Sequence, residues 1–321
     1  MDSRQDSLEQ LRRQQAALIT PERLERILDR ALPNRAFSSF ELLPGGSTNL
    51  NYLVRFNETH APAVLRIYVR DREACSKELA LISSAARLLP VPEILFADAN
   101  GHEDIGPHIL YRFAEGITFH ELKSRGNPQD VADAAYAIGQ SLAQVGTVAY
   151  SPATLCPAYR RYASTECLDP ALLEERLGGW MRDRLFAVAS DNAGRLAGLN
   201  EENALVHGDF NNRNAIVKFE RGRWAVSGIL NWEMAFSGSP LWDAARFTCY
   251  ERPGRPRREP HFSRGFTDGG GSLPADWSHF ARVVSLISAA ESLSRVDLRP
   301  HFVPELCELV GLLLDDIEMA A

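Results

Sequence analysis

The order of the patterned segments along the chain constrains its fold most strongly, because short alternating stretches come first and helical stretches follow. Residues 37–69 contain three short stretches of β pattern separated by turn-rich segments, and a further strand pair is predicted over 93–113. One amphipathic stretch, 72–89, lies between them, and beyond residue 130 apolar residues recur mostly at helical spacing. Segregated strands and helices are typical of an α+β fold with two lobes.

Further elements are predicted from the same patterns. Residues 7–32 are predicted to form an N-terminal helix with Pro21 at a first helical position. Two β-like pieces, near 215–219 and 224–230, interrupt the helical half. The stretch 251–276 is rich in Pro, Gly and Arg, and we expect a long surface loop whose arginines are solvated.

The composition favours a globular protein over one that binds nucleic acid or spans a membrane. The 321 residues are 45% hydrophobic, and 35 basic against 42 acidic side chains give a net charge of −7. This acidic balance argues against nucleic acid as a partner, and no apolar run approaches the roughly 18 residues of a membrane span. The five cysteines lack CxxC spacing, which predicts free thiols in a reducing compartment. The charged N-terminus lacks an apolar signal segment, so a cytoplasmic location is predicted.

A motif of the form H-x-D-x-x-x-x-N carries the chemistry. His207, Asp209 and Asn214 belong to a polar stretch that follows the apolar pair Leu205–Val206. Asp209 and Asn214 are five residues apart, so a loop must fold to bring both toward one point. In the kinase template, an aspartate at this position orients or deprotonates the attacking hydroxyl and the asparagine binds Mg²⁺. An Asn-rich turn after a strand is the alternative.

A second segment makes the resemblance to a family specific. Residues 226–243 contain L-N-W-E and then G-S-P-L-W-D. Together with the first motif, this segment resembles the aminoglycoside phosphotransferase family of small-molecule kinases, whose pattern is H-G-D-x-x-x-x-N, then I-D-W-E, then G-x-P-x-x-D. Four stretches of the N-terminal part also fit that family: 44–49, 64–67, 77–81 and 108–113. The resemblance covers about residues 35–300.

The resemblance implies a protein-kinase-like bilobal fold, with a small strand-rich lobe over residues 1–113 and a larger helical lobe over residues 114–321. It implies an ATP-dependent phosphotransferase that moves the γ-phosphoryl group to a hydroxyl of a small molecule, with ATP and Mg²⁺ as cofactors. Family members phosphorylate aminoglycosides, macrolides, choline-like alcohols, sugars and amino-acid hydroxyls. The sequence of this chain does not name its acceptor or its oligomeric state.

The resemblance also assigns roles to particular residues. It makes Asp209 the catalytic residue, and it makes Asn214 and Asn231 the ligands of Mg²⁺. Asp243 is implied to brace the backbone of the catalytic loop, and His207 to hold that loop. The nucleotide-binding residues that it implies are Ser47, Asn49, Arg66, Glu78, Tyr111 and Phe113.

An arginine stands where the family carries its phosphate-binding lysine. The chain has only three lysines, Lys77, Lys123 and Lys218. None of them lies on the strand concerned, whereas Arg66 does. Arg66 would provide a partner for Glu78, which falls within the apolar face of its helix, where an unpaired charge costs several kcal/mol. The alternative is an exposed Arg66 and a Glu78 that reaches solvent.

The aspartate of the family's I-D-W-E motif is Asn231 in this chain. Mg²⁺ prefers anionic oxygen, so the change removes a charge that the metal site normally uses. Three interpretations remain open: an inactive or weakened pseudokinase that still binds nucleotide, a metal site helped by Glu233 in an extended segment, or a substitution that disables a normally active enzyme. If residue 231 limits catalysis, Asn231→Asp should raise Mg²⁺-dependent phosphotransfer.

Overall fold

The structure is a computed structural model. It describes residues 16, 19–33, 35–43, 49–57, 61–69, 71–86, 88–101, 106–150, 168–199, 202–248, 256–296, 298 and 300–320. Most of the N-terminal half of the predicted helix 7–32 and the turn-rich stretch 44–48 lie outside these residues. Across the described ranges, no helix combines the length and apolar character that crossing a membrane requires.

The chain divides into two compact units. Unit 1 comprises Met1–Glu115 and Ser227–Glu233, and unit 2 comprises Gly116–Val226 and Met234–Ala321. The sequence predicts one division after Phe113, whereas the observed division adds a later segment to the first unit. That segment carries the L-N-W-E motif, so the residues of this motif belong to unit 1.

Unit 1 is built on an antiparallel sheet with the strand order β1-β2-β3-β5-β4. Its strands are β1 (Phe37–Leu42), β2 (Leu50–Phe56), β3 (Ala63–Ile67), β4 (Ile94–Asp98) and β5 (His108–Arg112), and its helices are α1 (Pro21–Ala31) and α2 (Glu73–Ala85). Each strand and α2 were predicted from the sequence, to within a few residues at their ends. The central strand, β3, carries Arg66.

Helix α1 begins as its sequence predicts and closes part of the core of unit 1. The Thr20 side chain accepts a hydrogen bond from the Arg23 N–H at 3.4 Å, and Pro21 follows as the first helical residue. Leu24, Ile27 and Leu28 are buried against the sheet. Burial of side chains of this size contributes roughly 1.5–3 kcal/mol each.

Unit 2 is mainly helical. Its helices are α3 (Phe119–Arg125), α4 (Pro128–Gly146), α5 (Pro170–Leu177), α6 (Gly179–Asp191), α7 (Ala193–Gly198), α8 (Leu241–Thr248), α9 (His261–Asp268), α10 (Trp277–Leu293) and α11 (Val303–Met319). Its short strands are β6 (Ile117–Thr118), β7 (Ala204–Val206), β8 (Ala215–Glu220) and β10 (Phe236–Gly238), while β9 (Arg223–Ile229) begins in unit 2 and ends in unit 1. A sheet has the order β6-β8-β9, and β7 pairs with β10.

The structure corrects the prediction of a long surface loop over 251–276. Residues 249–255 lie outside the description, but α9 forms within the predicted loop and packs against α4. Phe262 and Phe266, four residues apart, are both buried. The backbones approach so closely that a Cβ at Gly265 would collide with the Tyr136 carbonyl. The high Pro, Gly and Arg content concealed this short amphipathic pattern.

Candidate active site

The catalytic motif of unit 2 forms a loop between β7 and β8. Strand β7 pairs with β10 so that Val206 lies opposite Phe236, and α8 follows β10 after two residues. Ser239 and Pro240 precede α8, and the Ser239 hydroxyl accepts a hydrogen bond from the Leu241 N–H at 3.3 Å. The paired strands therefore place the start of α8 beside the start of the loop.

Asp243, on α8, holds the backbone of this loop. Its carboxylate accepts hydrogen bonds from the N–H groups of His207, at 2.5 Å, and Gly208, at 3.0 Å. Burial raises the pKa of Asp243, while the two backbone hydrogen bonds act in the opposite direction. His207 is also buried, and its Nδ1 accepts the N–H of Asp209 at 3.2 Å. This geometry agrees with the bracing and holding roles that the resemblance implies.

Asp209 lies in the loop with its carboxylate surrounded by donors. Its Oδ1 accepts from Asn211 Nδ2 at 3.2 Å and from Arg246 Nη2 at 2.9 Å, and its Oδ2 accepts from Asn214 Nδ2 at 3.1 Å. The predicted pair Asp209 and Asn214 is thus brought together. Gly208 makes the turn with φ +81°. A Cβ at this position would collide with the Met234 carbonyl.

Arg258 corrects a second prediction, that the arginines of 251–276 are solvated. Its side chain is only 2% exposed. The guanidinium donates to Asn212 Oδ1 at 3.2 Å, donates to the Phe247 carbonyl and lies over the Phe247 ring. Arg257 is exposed as predicted, whereas Arg258 satisfies carbonyls at the end of α8 and contacts the catalytic loop.

Unit 1 contains a buried cluster around Arg66. The guanidinium lies 3.6 Å from Glu78 Oε2 and 3.0 Å from Glu233 Oε2, and it donates a hydrogen bond to Asn231 Oδ1. The Arg66 side chain is 6% exposed. Burial alone would lower the pKa of Arg66, but Glu78 first, then Tyr68 and Glu233, more than offset this, so the pKa is raised. The predicted pairing of Arg66 with Glu78 is present.

Glu78 is also held by neutral donors. Its Oε2 accepts the Tyr68 hydroxyl at 2.6 Å, and its Oε1 accepts the Trp232 N–H at 3.3 Å. The Tyr111 hydroxyl lies 3.4 Å from that of Tyr68. Burial and the charge of Glu78 raise the pKa of Tyr68 and of Tyr111, so both phenols remain protonated donors.

One interpretation of Glu233 assumed an extended segment around Asn231, but this segment is not extended. Asn231 has φ +67°, and a short 3₁₀ turn, Trp232–Met234, follows it. Glu233 Oε2 accepts Asn49 Nδ2 at 2.6 Å in addition to its contact with Arg66. Lys77, which is buried, donates from Nζ to the Glu233 carbonyl at 3.0 Å.

Not all of the nucleotide-binding residues that the resemblance implies are found in the cluster of unit 1. Arg66, Glu78, Asn49 and Asn231 belong to the cluster of unit 1, and Tyr111 joins it through Tyr68. Phe113 follows β5 and is half-buried, with its N–H bonded to the Pro62 carbonyl at 3.1 Å. Ser47 lies outside the described residues.

The side chains implied as metal ligands are neutral amides. Asn214 and Asn231 offer amide oxygens, which are hard donors, but Asn231 Oδ1 accepts a hydrogen bond from the Arg66 guanidinium. Within the described ranges, no group of three or more His, Cys, Asp or Glu side chains is arranged to hold a metal ion. The type of donor therefore fits Mg²⁺, and Asn231 Oδ1 becomes available to it when Arg66 turns away.

Sequence reasoning did not identify three functional candidates: Arg246, Arg258 and Lys77. Arg246 follows Asp243 by three residues, which places both on one face of α8, and this spacing is a signal that was present in the sequence. Lys77 was excluded because it lies on the helix beside Glu78, yet it is long enough to reach the segment after Asn231. Arg258 carries no local signal.

Comparison with known families matches residues 39–281 to a family described as the phosphotransferase enzyme family. The match spans about three quarters of the chain. The chain belongs to this family. It is therefore a phosphotransferase by family, and its acceptor does not follow from that membership. Comparison with curated proteins finds no match.

Solved structures of the phosphotransferase family share the fold of this member. Wild-type aminoglycoside 2′-phosphotransferase-IIIa in complex with GDP has a TM-score of 0.68 and 17% identity, covering 93% of this chain and 99% of its own. A thermostable variant of aminoglycoside phosphotransferase APH(4)-Ia with AMP-PNP and hygromycin B gives 0.63 and 16%, covering 91% and 97%. A protein from Ralstonia eutropha described as a putative aminoglycoside phosphotransferase gives 0.58 and 16%, covering 92% and 98%. The α+β, protein-kinase-like fold is thereby confirmed.

Proposed function

We propose that this chain transfers the γ-phosphoryl group of ATP to a hydroxyl group of a small molecule. The observation that carries the proposal is the loop of unit 2, in which Asp243 holds the backbone and the carboxylate of Asp209 is oriented by three donors. Phosphoryl transfer depends mostly on positioning and electrostatics, which a braced loop supplies.

In this mechanism the hydroxyl of the acceptor molecule lies at the Asp209 carboxylate. The acceptor oxygen forms a bond to the γ-phosphorus while the bond from that phosphorus to the β–γ bridging oxygen breaks, and ADP leaves. The proton of the acceptor hydroxyl passes to the Asp209 carboxylate. Asn211, Asn214 and Arg246 fix the direction in which that carboxylate points.

The cluster of unit 1 supplies positive charge for the phosphates. Arg66, positioned by Glu78 and Glu233, offsets phosphate charge and binds oxygen pairs through its planar fork. We assign contacts with the nucleotide to Ser47, Asn49 and Phe113. Because Tyr111 is buried, it acts indirectly, through Tyr68 and Glu78.

As the family resemblance implies, we assign the role of candidate magnesium ligands to the amide oxygens of Asn214 and Asn231. When Mg²⁺ is bound, it neutralises charge on the β- and γ-phosphates. Arg66 donates to Asn231 Oδ1, so phosphates that attract Arg66 would release that oxygen.

The second candidate function is nucleotide binding without efficient transfer. The contact between Arg66 and Asn231 favours it, because an amide oxygen held by a cation is a weaker metal ligand than a free carboxylate. A binder of this kind uses the cluster of unit 1 but does not need Asp209.

The test begins with ATP binding, measured by calorimetry with and without Mg²⁺, and continues with ADP release against a panel of hydroxyl compounds. We expect Asp209→Asn to lower turnover by roughly 10²–10⁴-fold while the ATP dissociation constant stays within about twofold. Asp316→Asn, at an exposed position of α11, is the matched control. Failure to bind ATP would refute both functions. Full turnover by Asp209→Asn would refute the proposed phosphotransfer mechanism.

A further inference from the structure

Helix α2 carries a buried lysine directly before the glutamate that pairs with Arg66. Lys77 is 8% exposed and lies on one helix face with Ala74 and Leu81, which are also buried. Of the three lysines in the chain, it is the one that unit 1 contains. An apolar side chain would fill this position without the cost of taking an ammonium group out of water. The acceptor that the ammonium group contacts must therefore offset this cost.

That acceptor is the backbone that follows Asn231. Lys77 donates from Nζ to the Glu233 carbonyl at 3.0 Å. The next residue of α2, Glu78, accepts the Trp232 N–H through Oε1 at 3.3 Å. Two consecutive side chains of one helix thus bind an N–H group and a carbonyl of two consecutive residues. The backbone after Asn231 is attached to α2 by one donor and one acceptor.

Asn231 lies directly before this attachment, in a backbone conformation that few residues adopt. Its φ is +67°, which asparagine accepts more readily than most side chains. On the other side, the Ile229 N–H donates to the Pro90 carbonyl at 2.7 Å, and the Trp232 indole N–H donates to the Ile229 carbonyl at 2.9 Å. The segment is held before and after Asn231, so the contact of its side chain with Arg66 depends on both attachments.

We propose that Lys77 is a positioning residue, which holds the backbone after Asn231 so that the Asn231 side chain stays at the Arg66 guanidinium. Arg66 and Asn231 belong to the nucleotide-binding cluster of the proposed function, and Lys77 acts on the nucleotide only through them. The inference rests on that function and adds a residue to which the family resemblance gave no role.

Lys77 and Glu78 can be separated by mutation. The Glu78 carboxylate contacts three groups, which belong to Arg66, Tyr68 and Trp232. Substitution of Glu78 therefore changes the charge of the cluster and several of its contacts together. Substitution of Lys77 keeps the Glu78 carboxylate and its partners, so it reports on the position of the segment.

Hydrogen exchange of the full chain tests whether Lys77 holds the segment. In Lys77→Met, which keeps much of the side-chain stem but removes the donor, the amides of residues 229–233 should exchange about tenfold faster or more. The amides of β3 and β5 should change by less than about twofold, because their ladder does not include this contact. Lys77→Arg should restore part of the protection. Lys218→Met, in unit 2, removes an ammonium group paired with Glu220 at 2.9 Å and is the matched control.

Two outcomes of the exchange experiment would overturn the proposal. One is a segment whose exchange is the same in Lys77→Met as in the wild-type chain. The other is an equal acceleration in the segment, β3 and β5, which would show a general contribution of Lys77 to stability. If Lys77→Met does not fold, Lys77→Gln, whose polar end stops one atom earlier, is judged by the same two criteria.

ATP binding tests whether the segment acts through Asn231. Calorimetry in the presence of Mg²⁺ should give Lys77→Met a dissociation constant about fivefold above that of the wild-type chain, or higher. In the background of Asn231→Gly, which also accepts a positive φ, the same substitution should change the constant by less than about twofold. An equal loss in both backgrounds, or no loss in the wild-type background, would contradict the proposal.

These results are distinguishable from failure of the proposed function. If the wild-type chain does not bind ATP, that function fails, and hydrogen exchange still decides whether Lys77 holds the segment. Where ATP is turned over, Lys77→Met should raise the KM for ATP and leave the KM for the acceptor unchanged. A loss of kcat alone would indicate a smaller folded fraction and would refute the positioning role.

Discussion

The cluster of unit 1 and the catalytic loop of unit 2 are built with opposite charge. In unit 1 a guanidinium, Arg66, is surrounded by three acceptor side chains from two separate segments of the chain. In unit 2 a carboxylate, Asp209, is surrounded by donors, two of which come from its own loop. The Arg66 side chain is 6% exposed and the Asp209 side chain 34%. Unit 1 therefore relies on its charge pairing for stability, whereas unit 2 keeps its charge accessible for chemistry.

Removing the cation of unit 1 should have the largest effect on stability. Arg66→Met leaves Glu78 and Glu233 close together without their guanidinium, and breaking a buried pair in this way costs about 3–5 kcal/mol. Urea denaturation measures the loss. Arg66→Lys keeps the charge but not the fork, so it should lose less. A stable Arg66→Met variant would show that the pairing contributes nothing to unit 1.

Removing the brace of unit 2 should have a smaller effect on stability. Asp243→Asn replaces one of two acceptors by a donor that faces a loop N–H, and we expect a loss of about 1–3 kcal/mol in the free energy of unfolding. Turnover should fall as well, because the loop that carries Asp209 loses a support. Asp316→Asn, the exposed control, should change stability by less than about 0.5 kcal/mol. Equal losses in the two variants would contradict a bracing role.

The smallest expected effect concerns the metal. Asn231→Asp adds a carboxylate that Mg²⁺ prefers, so ATP should bind roughly tenfold more tightly in the presence of Mg²⁺. Without Mg²⁺ the same carboxylate competes with the phosphates for Arg66, so ATP should bind more weakly than in the wild-type chain. Calorimetry measures the ratio of the ATP dissociation constants without and with Mg²⁺. An unchanged ratio would mean that residue 231 does not limit the metal site.

The contrast between the two regions also explains what the sequence could predict. The spacing of Asp209 and Asn214 reports a local turn, and their contact follows from it. A glutamate within an apolar helix face indicates a buried cation partner, and the family resemblance indicated Arg66 as that cation. These predictions combine short segments of the chain, one rule about burial and the pattern of the family.

The remaining contacts depend on packing that no short segment specifies. Arg258 was assigned to a solvated loop because the fold of α9 and its packing against α4 are tertiary events. Lys77 reaches Glu233, 156 residues later in the sequence. The roles of Ser47, Asn49 and Phe113 as nucleotide contacts and the indirect role of Tyr111 stay predictions.

The backbone at Asn231 has a consequence for how this protein could evolve. At φ +67° the chain readily accepts asparagine, aspartate or glycine, and few other residues. A lineage can therefore exchange a charged residue for a neutral one at this position without disturbing the backbone around it. Loss and recovery of the aspartate are then reversible steps, and a chain with the family's aspartate at this position lies one tolerated substitution away.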